Sequence, residues 1–169
     1  MKVQDIMTTA VETCGPESDL AEAAAIMWKR DCGSVPVVDA GRRIVGMITD
    51  RDICMAVCTR NKLANEMKVA EVISGKVYAC APGDNIHDAL ETMQSSQLRR
   101  LPVVDADGSL RGILSINDVV LHSGRGKSKK HVSHRDAMET LKALSEHRRP
   151  DEDAGGDDDD EGALSAALI

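Results

Sequence analysis

Apolar residues follow two alternating patterns along the first part of the chain, one typical of helices and one typical of strands. Helical spacing occupies 20–27 and follows a Ser-Asp pair at 18–19, which are residue types that cap helices. Two runs rich in Val and Ile follow at 34–39 and 44–49, with a Gly- and Arg-rich turn between them, which predicts a β-hairpin. A short strand before the helix and a closing helix near Asp52 complete the predicted order β-α-β-β-α.

The same order occurs again 66 residues later. At this offset Met1-Lys2-Val3 matches Met67-Lys68-Val69, and Pro36–Ala40 is identical to Pro102–Ala106. Two copies are too few for a solenoid, so we predict an α+β fold in which two half-modules pack about a pseudo-twofold axis. The predicted segments are a first domain at 1–58, a linker at 59–66, a second domain at 67–123, a basic loop and C-terminal helix at 124–150, and a disordered tail at 151–169.

The region after the second copy divides into three parts. Residues 125–130 are polar and lack periodicity, which predicts a loop. Apolar residues then recur from Val132 to Leu144, which predicts a helix of about three turns that ends before Pro150. The tail at 151–169 has too little apolar surface to offset the entropy of ordering, so we predict disorder.

The formal net charge of −7 is a property of this tail. Eight of the 28 acidic residues lie within 151–162, whereas residues 1–150 carry 20 acids and 21 bases. The predicted folded part is therefore nearly neutral, and this balance does not oppose an anionic ligand. Trp28 and Tyr78 are too few aromatic side chains for the stacked platforms that hold single-stranded nucleic acid, so we predict no nucleic-acid partner.

The sequence lacks an apolar run of the roughly 18 to 20 residues that a membrane helix needs, and its N-terminus lacks the layout of a signal peptide. We therefore expect a cytoplasmic protein without a membrane partner. An odd number of cysteines without a C-x-x-C pair predicts small buried thiols in a reducing compartment, with no metal bound. These residues are Cys14, Cys32, Cys54, Cys58 and Cys80.

Each predicted hairpin ends in the motif G-h-h-[ST]-x-x-D, where h is apolar, at Gly46–Asp52 and at Gly112–Asp118. A hydroxyl followed three residues later by an acid at a helix start forms a capping box, so a structural role alone explains the motif. The same geometry suits a nucleotide, because free amides and a hydroxyl can hold a phosphate while the acid accepts ribose hydroxyls. The two roles are not exclusive. The candidate bases for the phosphates are Arg51, Arg99 and Arg100.

Three further patterns accompany this motif: V-x-x-[IV]-M near the start, h-x-P before the first helix, and h-P-V-V-D in the first hairpin strand. In combination they resemble the tandem cystathionine-β-synthase (CBS) domain pair, often called a Bateman module. The resemblance covers residues 1 to about 123 and occurs in both copies. It implies two CBS halves joined through their sheets, clefts that accept adenosine-containing ligands, and a disc-shaped homodimer formed through the helices.

The resemblance also implies a ligand site in each copy. Its ribose-binding acid falls on Asp52 and Asp118, and its phosphate-side hydroxyl falls on Thr49 and Ser115. An adenine clamp made of aliphatic side chains and backbone suits a chain so poor in aromatics. The residues assigned to the first site are Thr13, Cys14, Ser34, Val35, Pro36, Thr49, Arg51 and Asp52. The residues assigned to the second site are Ala79, Cys80, Arg99, Arg100, Leu101, Pro102, Ser115, Asn117 and Asp118.

Two differences between the copies predict unequal sites. The second copy has Ala79 at a position where a hydroxyl is common in the family, which weakens its base pocket. The second copy also has Arg99 and Arg100 where the first has Gly33 and Ser34, so it has cations that the first lacks.

The leading hypothesis is a regulatory module that binds AMP, ADP, ATP or S-adenosylmethionine and signals through dimer geometry or through an unknown protein partner. No catalytic residue is assigned, because no nucleophile or base recurs in an activating arrangement. The alternative is a dimeric adaptor in which both motifs are only helix caps. A weaker hypothesis is an enzyme that uses the free cysteines.

Two features allow further hypotheses. Trp28, beside Met27, is interpreted as an oligomer contact, as the edge of a core or as a ligand stack. The acidic tail is expected to fold over the basic stretch at 125–149, or over Arg99 and Arg100, where it would compete with phosphates.

Overall fold

The computed structural model describes residues 1–125 and 131–146, and within these ranges it confirms the predicted α+β fold. The predicted tail at 151–169 lies outside the described residues, as does the predicted loop apart from Arg125. The helices and strands are α1 (Leu20–Arg30), β1 (Ser34–Val38), β2 (Ile44–Thr49), α2 (Asp50–Arg60), α3 (Ile86–Ser95), β3 (Arg100–Val104), β4 (Leu110–Ser115), α4 (Ile116–His122) and α5 (His134–Ser145). Short 3-10 turns lie at Val3–Asp5, Ala64–Glu66 and Val69–Glu71.

Helices α1 and α3 begin at side-chain caps of the predicted kind. Asp19 Oδ1 accepts a hydrogen bond from the amide of Glu22 at 2.8 Å, and Asn85 Oδ1 accepts one from the amide of His87 at 3.1 Å. Each helix packs an apolar stripe on the first strand of its own hairpin. The helices therefore fix the position of the strands that carry the candidate site residues.

The two hairpins have the same register. Ser34 lies opposite Thr49 in the first hairpin, and Arg100 lies opposite Ser115 in the second. All four residues stand at the end of the hairpin where the chain enters the next helix. Equivalent residues of the two copies therefore occupy equivalent positions.

The strand predicted ahead of α1 is shorter than expected, because only Cys14 pairs with β1. Its amide donates to Pro36 O at 3.2 Å, and its carbonyl accepts from the amide of Val38 at 3.0 Å. Pro16 follows two residues later and has no amide with which to extend the pairing. Cys80 pairs with the second hairpin in the same way.

The structure has two hydrophobic cores, and each contains residues from the start of the other copy. Met67 and Val69 are fully buried in the first core, although the predicted domain limits assign them to the second domain. Val3 and Ile6 are buried in the second core. Burial of such side chains contributes roughly 1.5 to 3 kcal/mol each, so the exchanged segments hold the two repeats together.

Backbone hydrogen bonds relate the exchanged segments by a twofold rotation. Val3 N donates to Asp84 O at 3.0 Å, and Val69 N donates to Ser18 O at 2.9 Å. The two donors, Val3 and Val69, are 66 residues apart, and so are the two acceptors, Ser18 and Asp84. The donor of each bond therefore belongs to one copy and its acceptor to the other. Such an exchange confirms the predicted pseudo-twofold axis.

The turns of the two hairpins meet on the same axis. Ile44 N donates to Gly108 O at 3.1 Å, and Leu110 N donates to Arg42 O at 3.2 Å. Gly108 and Arg42 both take a left-handed conformation, with φ of 83° and 61°. Glycine adopts this conformation without steric cost, whereas Arg42 takes it against its preference. The sheets are therefore joined end to end through their turns.

Helix α5 packs on α3 and α4. Thr140 is fully buried there and accepts a hydrogen bond from Gln94 Nε2 at 2.7 Å. Val132 and Ala137 are buried in the second core. In the described part of the chain, no counterpart of α5 covers α1 and α2, although the turn at Ala64–Glu66 packs on α1.

The exposure of side chains excludes one interpretation of Trp28 and contradicts the prediction for three cysteines. Trp28 is 90% exposed, which excludes its interpretation as the edge of a core. Cys32, Cys54 and Cys58 are also exposed, so the prediction that all five cysteines are buried is wrong. Cys54 and Cys58 are exposed because α2 turns Ile53 and Ala56 toward the core, which leaves the two cysteines on the outer side of the helix.

None of the helices in the described ranges has the length and apolar character that crossing a membrane requires.

Candidate functional site

Each hairpin passes directly into a helix through a corner of the same geometry. At the first corner, the amide and hydroxyl of Thr49 donate to Asp52 Oδ2 at 2.9 and 2.7 Å, and the Asp52 amide donates to Thr49 Oγ1 at 3.1 Å. At the second corner, Ser115 and Asp118 form the same three bonds at 2.8, 2.6 and 3.2 Å. Both corners are therefore capping boxes, which is one of the two roles predicted for the motif.

The corners differ at the carboxylate oxygen that lies outside the capping box. Asp118 Oδ1 accepts a hydrogen bond from Thr8 Oγ1 at 3.3 Å. Asp52 Oδ1 has no hydrogen-bond partner among the described residues. Since an ionised carboxylate oxygen can accept two bonds, Asp52 retains more capacity for the hydroxyls of a ligand.

The residues assigned to the first site meet at one end of the first hairpin. Cys14 lies beside Pro36, and Ser34 lies opposite Thr49. Ser34 is 6% exposed, and its hydroxyl has no hydrogen-bond partner in the part of the chain that the structure describes. A buried polar group left in this state costs roughly 1 to 3 kcal/mol, which a bound polar group would offset.

The residues assigned to the second site meet in the same way. The Cys80 amide donates to Pro102 O at 3.1 Å, and Arg100 lies opposite Ser115. The side chains of Leu101 and its counterpart Val35 are buried in the cores, so only backbone can meet a ligand at these positions. Thr13 is half-buried, whereas Ala79, Arg99 and Asn117 are exposed.

Arg100 reaches from the second repeat to the first. A side chain at Gly33 would place its Cβ 3.7 Å from Arg100 Nη2 and 3.1 Å from Asp50 Oδ2. Asp50 is the first residue of α2, so a cation of the second repeat lies close to the first corner. Although the first copy has no arginine at positions 33 and 34, it therefore has one nearby.

The three candidate bases are free to meet an anion. None of them forms an ion pair or a side-chain hydrogen bond with another described residue; they are Arg51, Arg99 and Arg100. Arg51 and Arg100 are half-buried and Arg99 is exposed. Arg99 and Arg100 both lie beside the second corner, where a bound phosphate would meet two cations.

The thiols next to the hairpins are protonated at neutral pH. Burial raises the pKa of Cys14 to about 11, and the charge of Glu22 acts in the same direction. Burial likewise raises the pKa of Cys80 to about 11, with a further contribution from Asp84. Both residues therefore act as small apolar groups and not as nucleophiles.

Two grooves border the corners. The α5 groove, of about 390 Å³, lies between the second corner and α5, and it includes Arg99, Arg100, Ser115 and Asn117. The Trp28 groove, of about 430 Å³, lies between α1 and α2 beside Gly33 and Asp50. The residues that line the Trp28 groove are Ala24, Met27, Trp28, Asp31, Cys32, Gly33, Asp50 and Ile53.

The sequence did not identify several residues at these corners. Thr8 contacts Asp118 only because the N-terminal segment packs on the other repeat, and nothing in the repeat pattern signals that exchange. Leu141 and Leu144 line the α5 groove, although their helical spacing predicted only a packed helix. Gly33 lies close to both Asp50 of its own repeat and Arg100 of the other repeat, and its lack of charge does not signal this position.

Within residues 1–125 and 131–146, no group of three or more His, Cys, Asp or Glu side chains is arranged to hold a metal ion.

Comparison with known proteins identifies the family. The family model described as "CBS domain" matches the chain twice, at residues 3–58 and 69–124. The CBS domain-containing protein YhcV of Bacillus subtilis (strain 168) is 34% identical over 136 residues, which cover 78% of this chain and 95% of YhcV.

Two similar solved structures contain adenosine compounds. CBSX2 in complex with AMP is 28% identical, with a TM-score of 0.63 over 71% of this chain and 93% of CBSX2. The CBS domain pair of MJ0100, in complex with 5'-methylthioadenosine and S-adenosyl-L-methionine, is 25% identical, with a TM-score of 0.65 over 72% of this chain and 94% of that chain. The two family matches coincide with the two repeats of the structure, and the chain therefore belongs to the CBS domain family as a tandem pair of CBS domains.

Proposed function

We propose that this chain is a regulatory module that binds an adenosine-containing nucleotide in the clefts of its two CBS domains. The observation that carries the proposal is the first corner. There the half-buried carboxylate of Asp52 keeps one oxygen without a partner among the described residues. Opposite its capping Thr49, the buried hydroxyl of Ser34 likewise has no hydrogen-bond partner in the described ranges. Both groups are suited to the hydroxyls of a ligand.

Similar proteins support the class of ligand. CBSX2 is known in complex with AMP, and the CBS pair of MJ0100 with 5'-methylthioadenosine and S-adenosyl-L-methionine. These compounds share an adenosine part and differ in the charge of the group attached to it. The candidates for this chain are accordingly AMP, ADP, ATP and S-adenosylmethionine.

Each part of a nucleotide has a suited partner at the corners. The carboxylates of Asp52 and Asp118 accept the ribose hydroxyls, and Arg51, Arg99 and Arg100 offset the charge of the phosphates. The adenine lies against the backbone beside Cys14 or Cys80, because the aliphatic side chains there are mostly buried. Since these two thiols are protonated at neutral pH, we assign them to binding and propose no catalytic activity.

The signal is proposed to pass through a homodimer or a protein partner. The α1 and α2 side of the first repeat carries Trp28, which is 90% exposed beside a groove. In the second repeat, α5 already packs on α3 and α4. A dimer formed through both helix pairs would therefore require α5 to move, whereas a dimer through the first repeat would not.

Isothermal titration calorimetry of the full chain with AMP, ADP, ATP and S-adenosylmethionine tests the proposal. We expect at least one of them to bind with a dissociation constant below about 1 mM, which corresponds to about −4 kcal/mol. Trp28 fluorescence should change when the first site fills, because its groove includes Gly33 and Asp50. If none of the four compounds binds at millimolar concentration, the proposal is wrong.

A dimeric adaptor without a ligand is the second candidate. Helix α5 begins with a third capping box, in which the amide and hydroxyl of Ser133 donate to Asp136 Oδ2 at 2.9 and 2.7 Å. This helix lies outside both family matches, so the capping geometry alone does not identify a ligand site. Under this candidate, removal of Asp52 or Asp118 changes stability and nothing else.

A further inference from the structure

The α5 groove has two walls of different chemistry. The wall formed by the second corner is basic and polar, with Arg99, Arg100 and Asn117. The opposite wall is formed by Leu141, Leu144 and Ser145 of α5 and is largely aliphatic. The second family match ends at residue 124, so this wall is an addition to the CBS pair.

The basic wall is held in place by backbone contacts that leave its charges free. The amide of Ile116 donates to Arg99 O at 3.0 Å, which joins the start of α4 to the start of β3. Arg100 is paired with Ser115 across the hairpin. Neither guanidinium group has an ionic partner among the described residues, so both can meet an anion that enters the groove.

The aliphatic wall is held equally well. Besides the bond from Gln94 to the buried Thr140, Gln97 Nε2 donates to Glu146 O at 3.1 Å at the far end of α5. These contacts fix the helix along α3. Leu141 and Leu144 stay half-buried, which leaves part of each side chain facing the groove.

The first repeat provides an internal comparison. Its groove, beside Trp28, is lined by the acids Asp31 and Asp50 and by no arginine, although Arg100 of the second repeat lies near Gly33. No counterpart of α5 closes it within the described residues. Among the described residues, the combination of unpaired cations with an added aliphatic wall thus occurs only in the second repeat.

We propose that α5 forms part of the ligand site of the second repeat: a nucleotide whose phosphates meet Arg99 and Arg100 also contacts Leu141 and Leu144. This inference rests on the proposed function and adds a binding element to it. Because the ligand then touches both walls, its binding stabilises the packed position of α5. Occupation of the second site is thereby transmitted to the C-terminal part of the chain.

Hydrogen exchange of the full chain, with and without saturating AMP or ATP, measures the effect on α5 directly. We expect exchange of the amides in His134–Ser145 to slow at least fivefold when the nucleotide is bound. In parallel, calorimetry compares Leu144→Ala with Met138→Ala. Met138 lies on the same helix but is 53% exposed and does not line the groove. We expect Leu144→Ala to weaken binding about fivefold and Met138→Ala to change it less than twofold.

The outcomes separate this inference from the proposed function. If a nucleotide binds while α5 exchanges at an unchanged rate and Leu144→Ala binds as the wild type does, the inference is overturned and the proposed function stands. If no nucleotide binds to the wild type, both are overturned. Because the exchange measurement uses the wild-type chain, its result does not depend on how well a variant folds.

Discussion

Thr8 donates a hydrogen bond to Asp118 across 110 positions of the sequence, with 3.3 Å between Thr8 Oγ1 and Asp118 Oδ1. The bond exists because the N-terminal segment packs on the second repeat, where Thr8 and Ile113 exchange backbone hydrogen bonds of 2.9 Å in both directions. The residue in the position equivalent to Thr8 is Ser74, which makes no such bond to Asp52. The two corners thus differ in how much of the carboxylate remains for a ligand.

Replacement of Thr8 by valine should strengthen nucleotide binding at the second site. The variant keeps the shape of the side chain but removes the donor, so a ribose hydroxyl no longer competes for Asp118 Oδ1. The bond to the ionised carboxylate is long and exposed to solvent, so it contributes about 0.5 to 1.5 kcal/mol, and we expect about a threefold gain in affinity with a slight loss of stability. Calorimetry measures the first effect and urea unfolding the second. Ser74→Ala is the matched control and should change neither, so an equal effect of both variants would contradict this prediction.

The glycines of the two corner motifs should tolerate alanine unequally. A Cβ on Gly112 would lie 2.6 Å from the carbonyl oxygen of Thr8, whereas one on Gly46 would lie 2.7 Å from Cδ1 of Ile73. The backbone of Thr8 cannot yield without loss of its bonds to Ile113, while the end of the Ile73 side chain can rotate. We expect Gly112→Ala to lower the free energy of unfolding by about 3 kcal/mol and Gly46→Ala by about 1 kcal/mol.

Urea unfolding of the two glycine variants gives the comparison. Equal losses of stability would contradict this prediction, because they would mean that the N-terminal segment moves as easily as one side chain. We expect the segment to resist such movement because Val3 and Ile6 anchor it in the second core.

The elevated pKa values of Cys14 and Cys80 make the stability of the fold depend on alkaline pH. A thiol whose pKa is higher in the folded state is stabilising in its protonated form. That contribution is complete below the unfolded pKa of about 9 and is lost as pH rises toward 11. We therefore expect the free energy of unfolding to fall between pH 9 and 11, and to fall less in Cys14→Ala. A flat profile over this interval would contradict the assigned burial.

Alkylation distinguishes the same two thiols from the other three. At pH 8 iodoacetamide should label Cys32, Cys54 and Cys58, which are exposed, in the folded chain. Labelling of Cys14 and Cys80 should require denaturant. Mass spectrometry of digested samples identifies the modified positions.

The first repeat is the expected place of self-association. Trp28 occupies the position that Gln94 occupies in the second repeat, where that residue is bound to α5. Trp28→Gln should therefore weaken a dimer at least tenfold by sedimentation velocity, because exposed tryptophan is a frequent anchor of interfaces. Met138→Gln, on the exposed side of α5, is the control and should leave the dimer unchanged. A dimer that is insensitive to Trp28→Gln would place the interface elsewhere.

The local elements could be predicted because their signals are local. Strands β2 and β4 have the predicted bounds. Each strand follows a turn and precedes a helix cap, and both of these signals depend only on neighbouring residues. Asp19 and Asn85 cap α1 and α3 for the same reason.

The exchange of segments could not be predicted, because both copies have the same pattern at their start. Val3 and Val69 stand in equivalent sequences, and either could fill either core by size and polarity. The contact of Thr8 with Asp118 and the approach of Arg100 to Gly33 depend on this exchange and on the twofold arrangement. The exposure of Cys54 and Cys58 could not be predicted either, because cysteine occurs on both the buried and the exposed side of a helix.

The most direct test compares three acids, each of which occupies the same position in its own capping box: Asp52, Asp118 and Asp136. Each is replaced by alanine in the full chain, and calorimetry with the nucleotide that the wild type binds best is combined with urea unfolding. All three variants should lose about 1 kcal/mol of stability, because each loses a helix cap. Only Asp52→Ala and Asp118→Ala should lose nucleotide affinity, at least tenfold at the affected site, while Asp136→Ala stays within twofold of the wild type. If all three variants bind as the wild type does, the corners are helix caps and not nucleotide sites.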